Sequence, residues 1–204
     1  MTGQSRVEVT GGFLLLVAWL NYLDRSFVVP LALAACGVHE LGHIFVIRRM
    51  GGAIRGIRLT AVGAELILSR PLGYWQEGLS ALAGPGANLL LALICCNGKG
   101  WLTFAGLNLA LALLNLLPVG RLDGGRALRC TLALLAGPEP AERLAGWLDG
   151  LCTVAALGAG LFLAVFRGNY TLLLVAVWLL ALLFRNISPF PRNKACQRGR
   201  KKVQ

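Results

Sequence analysis

Long apolar runs, broken by brief polar stretches, dominate this chain. Runs of about 17–25 apolar residues predict membrane spans. With shorter runs admitted, six candidates emerge at residues 11–23, 27–47, 77–96, 101–120, 144–166 and 170–185, the first and last being the shortest. Phe13 to Leu20 imitates a signal peptide, but Asn21-Tyr22-Leu23-Asp24-Arg25 follows without a small-residue cleavage site, so an uncleaved first span is expected. Residues 51–70 depart from the pattern. Ile57, Leu59 and Ala61 alternate with Arg58 and Thr60, Gly63 interrupts, and Ala64-Glu65-Leu66-Ile67-Leu68 follows. That period of two predicts a short β-hairpin at the membrane surface. Its free edge suits pairing with an extended peptide, although a surface loop without a binding role fits these residues equally well. The pattern therefore predicts an all-α membrane protein. It would be a polytopic bundle of about six transmembrane helices, with a membrane-associated β-hairpin between the second and third.

Composition supports a lipid setting. The 204 residues are 56% hydrophobic and 14% charged, against about 25% charged in soluble domains. No room remains for a separate soluble domain, so residues 1–190 read as one intramembrane domain and 191–204 as a basic tail. The net charge of +11 raises the question of nucleic acid. The basic residues, however, lie in loops and tail rather than along a groove, and no nucleic-acid partner is expected. With the N-terminus inside, 17 Lys and Arg fall on the cytoplasmic side and only Arg25, Lys99 and Arg167 fall outside. This positive-inside imbalance predicts a multi-pass protein of the cell membrane with both termini cytoplasmic. Six scattered cysteines form no CxxC pair and read as small buried hydrophobes rather than metal or disulfide partners.

The chain has only two histidines, in His39-Glu40-Leu41-Gly42-His43 near the inner end of the second span. Positions i and i+4 share a helix face, so both imidazoles can hold one metal ion. Glu40 lies beside them to take a proton from bound water. A structural metal clamp is the competing reading, and the carboxylate at that spacing argues against it. Catalytic zinc generally takes three protein ligands, so a carboxylate or thiolate must complete the site. Asp24 falls on the opposite side of the bilayer. Glu139 and Glu142 fall in a Pro-rich loop, Glu65 in the hairpin and Asp149 early in the fifth span. Asp123 is the best candidate: it follows an apolar span broken at Pro118 and precedes Gly124-Gly125, and irregular backbone at membrane depth belongs beside a cavity. A salt bridge to Arg121 or Arg126 is its alternative role. Asn115, two turns earlier, suits either a substrate carbonyl or developing oxyanion, or an ordinary interhelical hydrogen bond.

Three motifs then appear in order: HExxH at His39–His43, Ala83-Gly84-Pro85-Gly86-Ala87-Asn88, and NxxPxxxLDGG at Asn115–Gly125. In this combination the chain resembles the site-2 protease family of intramembrane zinc metalloproteases. The resemblance implies zinc held by His39, His43 and Asp123, Glu40 as general base, and a hairpin that presents the substrate strand. The six-span plan is most similar to the sporulation branch that processes a membrane-associated pro-sigma factor. Neither the nucleotide-sensing domain common in that branch nor the PDZ domain of other branches is expected after the basic tail. The expected function is hydrolysis of a peptide bond in or near a transmembrane segment of an anti-sigma or pro-sigma-like membrane protein. The lipid bilayer and a membrane-protein substrate are the expected partners. A metal transporter or metal-sensing membrane protein with the same ligands is the competing hypothesis.

Overall fold

The computed structural model describes residues 6–60, 63–98, 100–120 and 122–185. Among these described residues helices dominate, and ten elements follow one another: β1 (Arg6–Val9), α1 (Gly11–Leu23), α2 (Val28–Arg49), β2 (Ile54–Thr60), β3 (Gly63–Leu68), α3 (Tyr74–Cys95), α4 (Leu102–Asn115), α5 (Asp123–Ala136), α6 (Pro138–Arg167) and α7 (Thr171–Arg185). Three of these, α2, α3 and α6, are long and apolar enough to cross a membrane, while α1, α4 and the apolar part of α7 are shorter. At 1.5 Å per residue the 13 residues of α1 reach about 20 Å, short of a hydrocarbon core of about 30 Å. Large side chains such as Leu15, Trp75, Leu93, Trp147, Leu151 and Phe166 are exposed on these helices. A soluble protein seldom leaves so much apolar surface uncovered, and lipid is the solvent that suits it.

The chain divides into two compact units, Met1–Leu116 and Leu117–Gln204. In the first, α2, α3 and α4 pack on one another. The contact between α2 and α3 is close because both carry glycine there. A Cβ at Gly42 would meet the Ala83 carbonyl oxygen at 2.6 Å, so only a glycine lets the two backbones approach. The strands form one sheet in the order β1-β2-β3, with β1 parallel and β3 antiparallel to β2. The expected hairpin is thus present in sequence between α2 and α3, but as part of a three-stranded sheet. Arg6 of β1 aligns with Gly56, where a Cβ would lie 2.8 Å from the Arg6 carbonyl oxygen. Across the same pair, Arg58 and Glu8 form a surface salt bridge of 2.9 Å.

The second unit is built on α5, α6 and α7, packed α5 to α6 and α6 to α7. Val119, Leu122 and Leu179 form its buried apolar cluster, with Cys152 and Val175 against it. Arg129 ties the unit together: it forms a buried ion pair with Asp149 and donates to the Gly120 carbonyl at 3.1 Å. Three boundaries differ from the sequence expectation. The fourth apolar segment ends its helix at Asn115, since Pro118 disfavours helical backbone just before it. Residues 123–136, read as loop, are helix α5, whose buried face is Asp123, Gly125, Ala127 and Cys130. Glu139 and Glu142, also read as loop residues, lie in the opening turns of α6. Proline at a helix start loses no hydrogen bond, so Pro138 begins a helix there instead of breaking one. The basic segment 191–204 and Arg121 lie outside the described residues.

Candidate metal centre

Helix α2 presents His39 and His43 one turn apart, both buried at 6% exposure. Their Nε2 atoms lie 3.1 Å from each other. What each ring does at its other nitrogen decides the chemistry. His43 Nδ1 stands 2.7 Å from the Ser80 carbonyl oxygen. A carbonyl only accepts, so Nδ1 carries the proton and donates. His39 Nδ1 stands 2.9 Å from Asn88 Oδ1, and the Asn88 amide nitrogen is turned to the Ala35 carbonyl at 3.1 Å. Here too Nδ1–H donates. With each Nδ1–H so committed, the two Nε2 atoms face each other in the same small space, where a shared proton or a metal ion can sit between them.

That donor set fits a metal ion. Two imidazole nitrogens on a tetrahedral zinc, at about 2.0–2.1 Å each, stand about 3.3 Å apart, close to the observed separation. Outer hydrogen bonds from Nδ1–H to a carbonyl or amide oxygen are the usual support of metal-binding histidines. Space is also reserved for the rings. A Cβ at Gly84 of α3 would lie 2.6 Å from His43 Cε1 and 2.8 Å from His39 Nε2, so any larger residue would collide with the pair. Glu40 follows His39 directly on α2 and is half-buried.

Asp123 is the first residue of α5 and is buried at 6% exposure. Its carboxylate at a helix N-terminus is favoured by the helix dipole. Arg126 Nη1 lies 3.4 Å from Asp123 Oδ1, so the salt bridge weighed as its alternative role is present. An ion pair does not exclude ligation, because metal-bound carboxylates are themselves hydrogen-bonded. Gly125 is required two residues on, where a Cβ would run into the Val119 carbonyl and stand 2.9 Å from the Gly120 nitrogen. Asn115 closes α4, half-buried, and its side-chain nitrogen donates to the Leu111 carbonyl at 3.0 Å. Asp24, set aside above, has a structural role: its oxygens accept from the Ser26 and Val29 amides at 2.9 and 2.8 Å, at the entry to α2. Ser80 and Asn108 carried no expectation from the sequence, yet both belong to the surroundings of the histidines. For Asn108 the signal was a second amide, besides Asn115, in a largely apolar helix, a placement costly enough in lipid to call for a purpose.

No protein-family profile matches the chain. A zinc metalloprotease of Methanocaldococcus jannaschii is 27% identical over 148 residues, covering 65% of this chain and 43% of that protein. Rip3 of Mycobacterium tuberculosis, named as a zinc metalloprotease on a provisional basis, is 35% identical over 144 residues, covering 60% of this chain and 34% of its own. Among solved structures, the site-2 protease from Methanocaldococcus jannaschii superposes with a TM-score of 0.63, covering 88% of both chains at 23% identity. The fold is shared. This chain spans less than half the length of the curated relatives it matches.

Proposed function

We propose that this chain is an intramembrane zinc metalloprotease of the site-2 protease type, hydrolysing a peptide bond in or near a transmembrane segment of a membrane protein. The observation that carries the reading is the pair of imidazoles whose Nε2 atoms stand 3.1 Å apart, with each Nδ1 directed to an oxygen elsewhere. His39, His43 and Asp123 are all buried and each offers one ligand atom. They are the three protein ligands a catalytic zinc requires. The relatives' names supply the metal and the reaction class.

Zinc, when bound, brings the pKa of a water towards neutrality and polarises a carbonyl. Glu40, the catalytic residue, takes the proton from the attacking water and delivers it to the leaving amine. Asn115 is assigned to the substrate carbonyl or oxyanion through the N–H that does not face Leu111. The substrate reading rests on surroundings. A helical substrate must unwind to expose its carbonyl, and pairing along a strand edge would offset part of that cost. A membrane-anchored regulator of the anti-sigma or pro-sigma kind is the substrate class we infer. Both termini are assigned to the cytoplasm from the distribution of Lys and Arg.

The test is co-expression of tagged single-span regulators with wild-type and Glu40→Gln protein. Cleavage should fall at least about 100-fold in the variant, while bound zinc stays near wild type because Glu40 is not a ligand. Equal cleavage by the variant would overturn the mechanism. A transporter using the same ligands would instead retain zinc flux in Glu40→Gln.

A further inference from the structure

The polar residues behind His39 form a chain whose direction is set by two carbonyls, that of Phe104 at its far end and that of Ala35 beside Asn88. Asn108, in the middle of α4 and fully buried, donates from its side-chain nitrogen to the Phe104 carbonyl at 2.8 Å. That carbonyl can only accept, so Asn108 must turn Oδ1 towards α3. There it accepts from Asn88 Nδ2 at 2.7 Å. Asn88, also fully buried, directs the same nitrogen to the Ala35 carbonyl of α2 at 3.1 Å. Its Oδ1 is therefore left to face His39 Nδ1 at 2.9 Å. Reversing either amide would set donor against donor or oxygen against oxygen in a site that excludes water. Three helices thus agree on one arrangement, and its last member is a nitrogen that the histidine spacing alone leaves undetermined.

We propose that Asn108 is a positioning residue of the metal centre: acting through Asn88, it holds His39 as the Nδ1–H tautomer and keeps Nε2 available to the ion. This rests on the metal-centre reading above and deepens it. Asn108 touches neither the metal nor a substrate, and its influence passes through one intervening amide. His43 serves as an internal reference, because its Nδ1–H is fixed independently by the Ser80 carbonyl.

The experiment uses the full chain in detergent micelles, freed of metal by chelation and labelled with nitrogen-15 at histidine. With only two histidines, two rings are read directly. At about pH 8, above the ordinary histidine range, both wild-type rings should show the Nδ1–H signature. In Asn108→Leu, where only the Ala35 carbonyl still orients Asn88, His39 should gain a detectable share of the Nε2–H tautomer while His43 is unchanged. An unchanged His39 would overturn the proposal. Should His43 shift as well, marking wider disruption, Asn108→Thr decides, since its hydroxyl can donate to Phe104 and accept from Asn88. Return of His39 to the wild-type signature supports the relay, and persistence of the altered one overturns it.

Zinc titration of the same metal-free proteins gives a second readout. Loss of an outer hydrogen-bond partner typically weakens metal binding 10–100-fold. We expect about 10-fold for Asn108→Leu and more for Asn88→Leu. The double variant should bind no more weakly than Asn88→Leu alone, because Asn108 acts through Asn88. Additive losses would overturn that route. Neither readout involves proteolysis, so failure here leaves the Glu40 test standing, and failure there leaves this one.

Discussion

A missing methyl group shapes the candidate metal centre as much as the two histidines do. Gly84 lies against both imidazoles, and a Cβ there would occupy space that His43 Cε1 and His39 Nε2 already need. Gly84→Ala should weaken zinc binding at least about 10-fold, measured by titration of the metal-free protein. Gly86→Ala, where a Cβ meets nothing within 4 Å, should leave the affinity near wild type. At this scale the sequence was informative wherever chemistry carried a spacing. His39, Glu40 and His43 followed from an i, i+4 pattern with a carboxylate beside it, and Gly84 and Asn88 sat inside a quoted motif. Ser80 was not legible because the histidine uses its backbone carbonyl, which any residue type would supply. Asn108 was not legible because its partners lie 20 residues away on α3 and one turn back along its own helix.

Individual elements depend on how their ends are tied. Helix α2 begins after Phe27, a non-glycine residue in left-handed conformation with φ 55°. The chain is held through that strained entry by Asp24, whose carboxylate accepts from the Val29 and Ser26 amides. Those hydrogen bonds, the Val29 one foremost, hold the Asp24 carboxyl below its ordinary 3.8. A lowered folded value means that the unfolded chain takes up its proton first as pH falls. The stabilisation by Asp24 is therefore complete above about pH 4 and disappears as pH drops through the lowered folded value. Asp24→Ala should lower the melting temperature at pH 7, and the gap from wild type should close as the pH is taken down towards 2. The long helices were legible because apolar runs of that length have few other outcomes, and α2 and α3 begin and end within three residues of expectation. Helix α5 was missed for a physical reason. Its 14 residues open on Asp123-Gly124-Gly125 and include Arg126 and Arg129, so neither apolar length nor propensity marks a helix. It forms by burying one narrow face against α6. Strand β1 was missed although Arg6-Val7-Glu8-Val9 alternates polar and apolar, because four exposed residues are too short a run to mark a strand whose partner lies some 50 residues on.

Across the molecule, the proposed orientation rests on the distribution of Lys and Arg. In the proposed topology the α3–α4 connection lies outside and the β2–β3 pair inside. In a variant retaining only Cys96, which is exposed at the end of α3, a membrane-impermeant maleimide should label intact cells. A Cys-free protein carrying Glu65→Cys should react only after permeabilisation. The reverse pattern would invert the assigned topology. The division at Leu116 and Leu117 was not visible in the sequence, because one apolar segment runs through it and hydrophobicity does not change at the boundary. The parallel pairing of β1 with β2 also constrains how the protein is made. Parallel strands need a long crossover, and here that crossover is residues 10–53, which include both α1 and α2. On the ribosome, Arg6–Val9 emerge first yet have no ladder to join until Ile54–Thr60 have been synthesised. The helical pair carrying both imidazoles must therefore enter the bilayer on its own hydrophobicity, with the sheet fastened only afterwards.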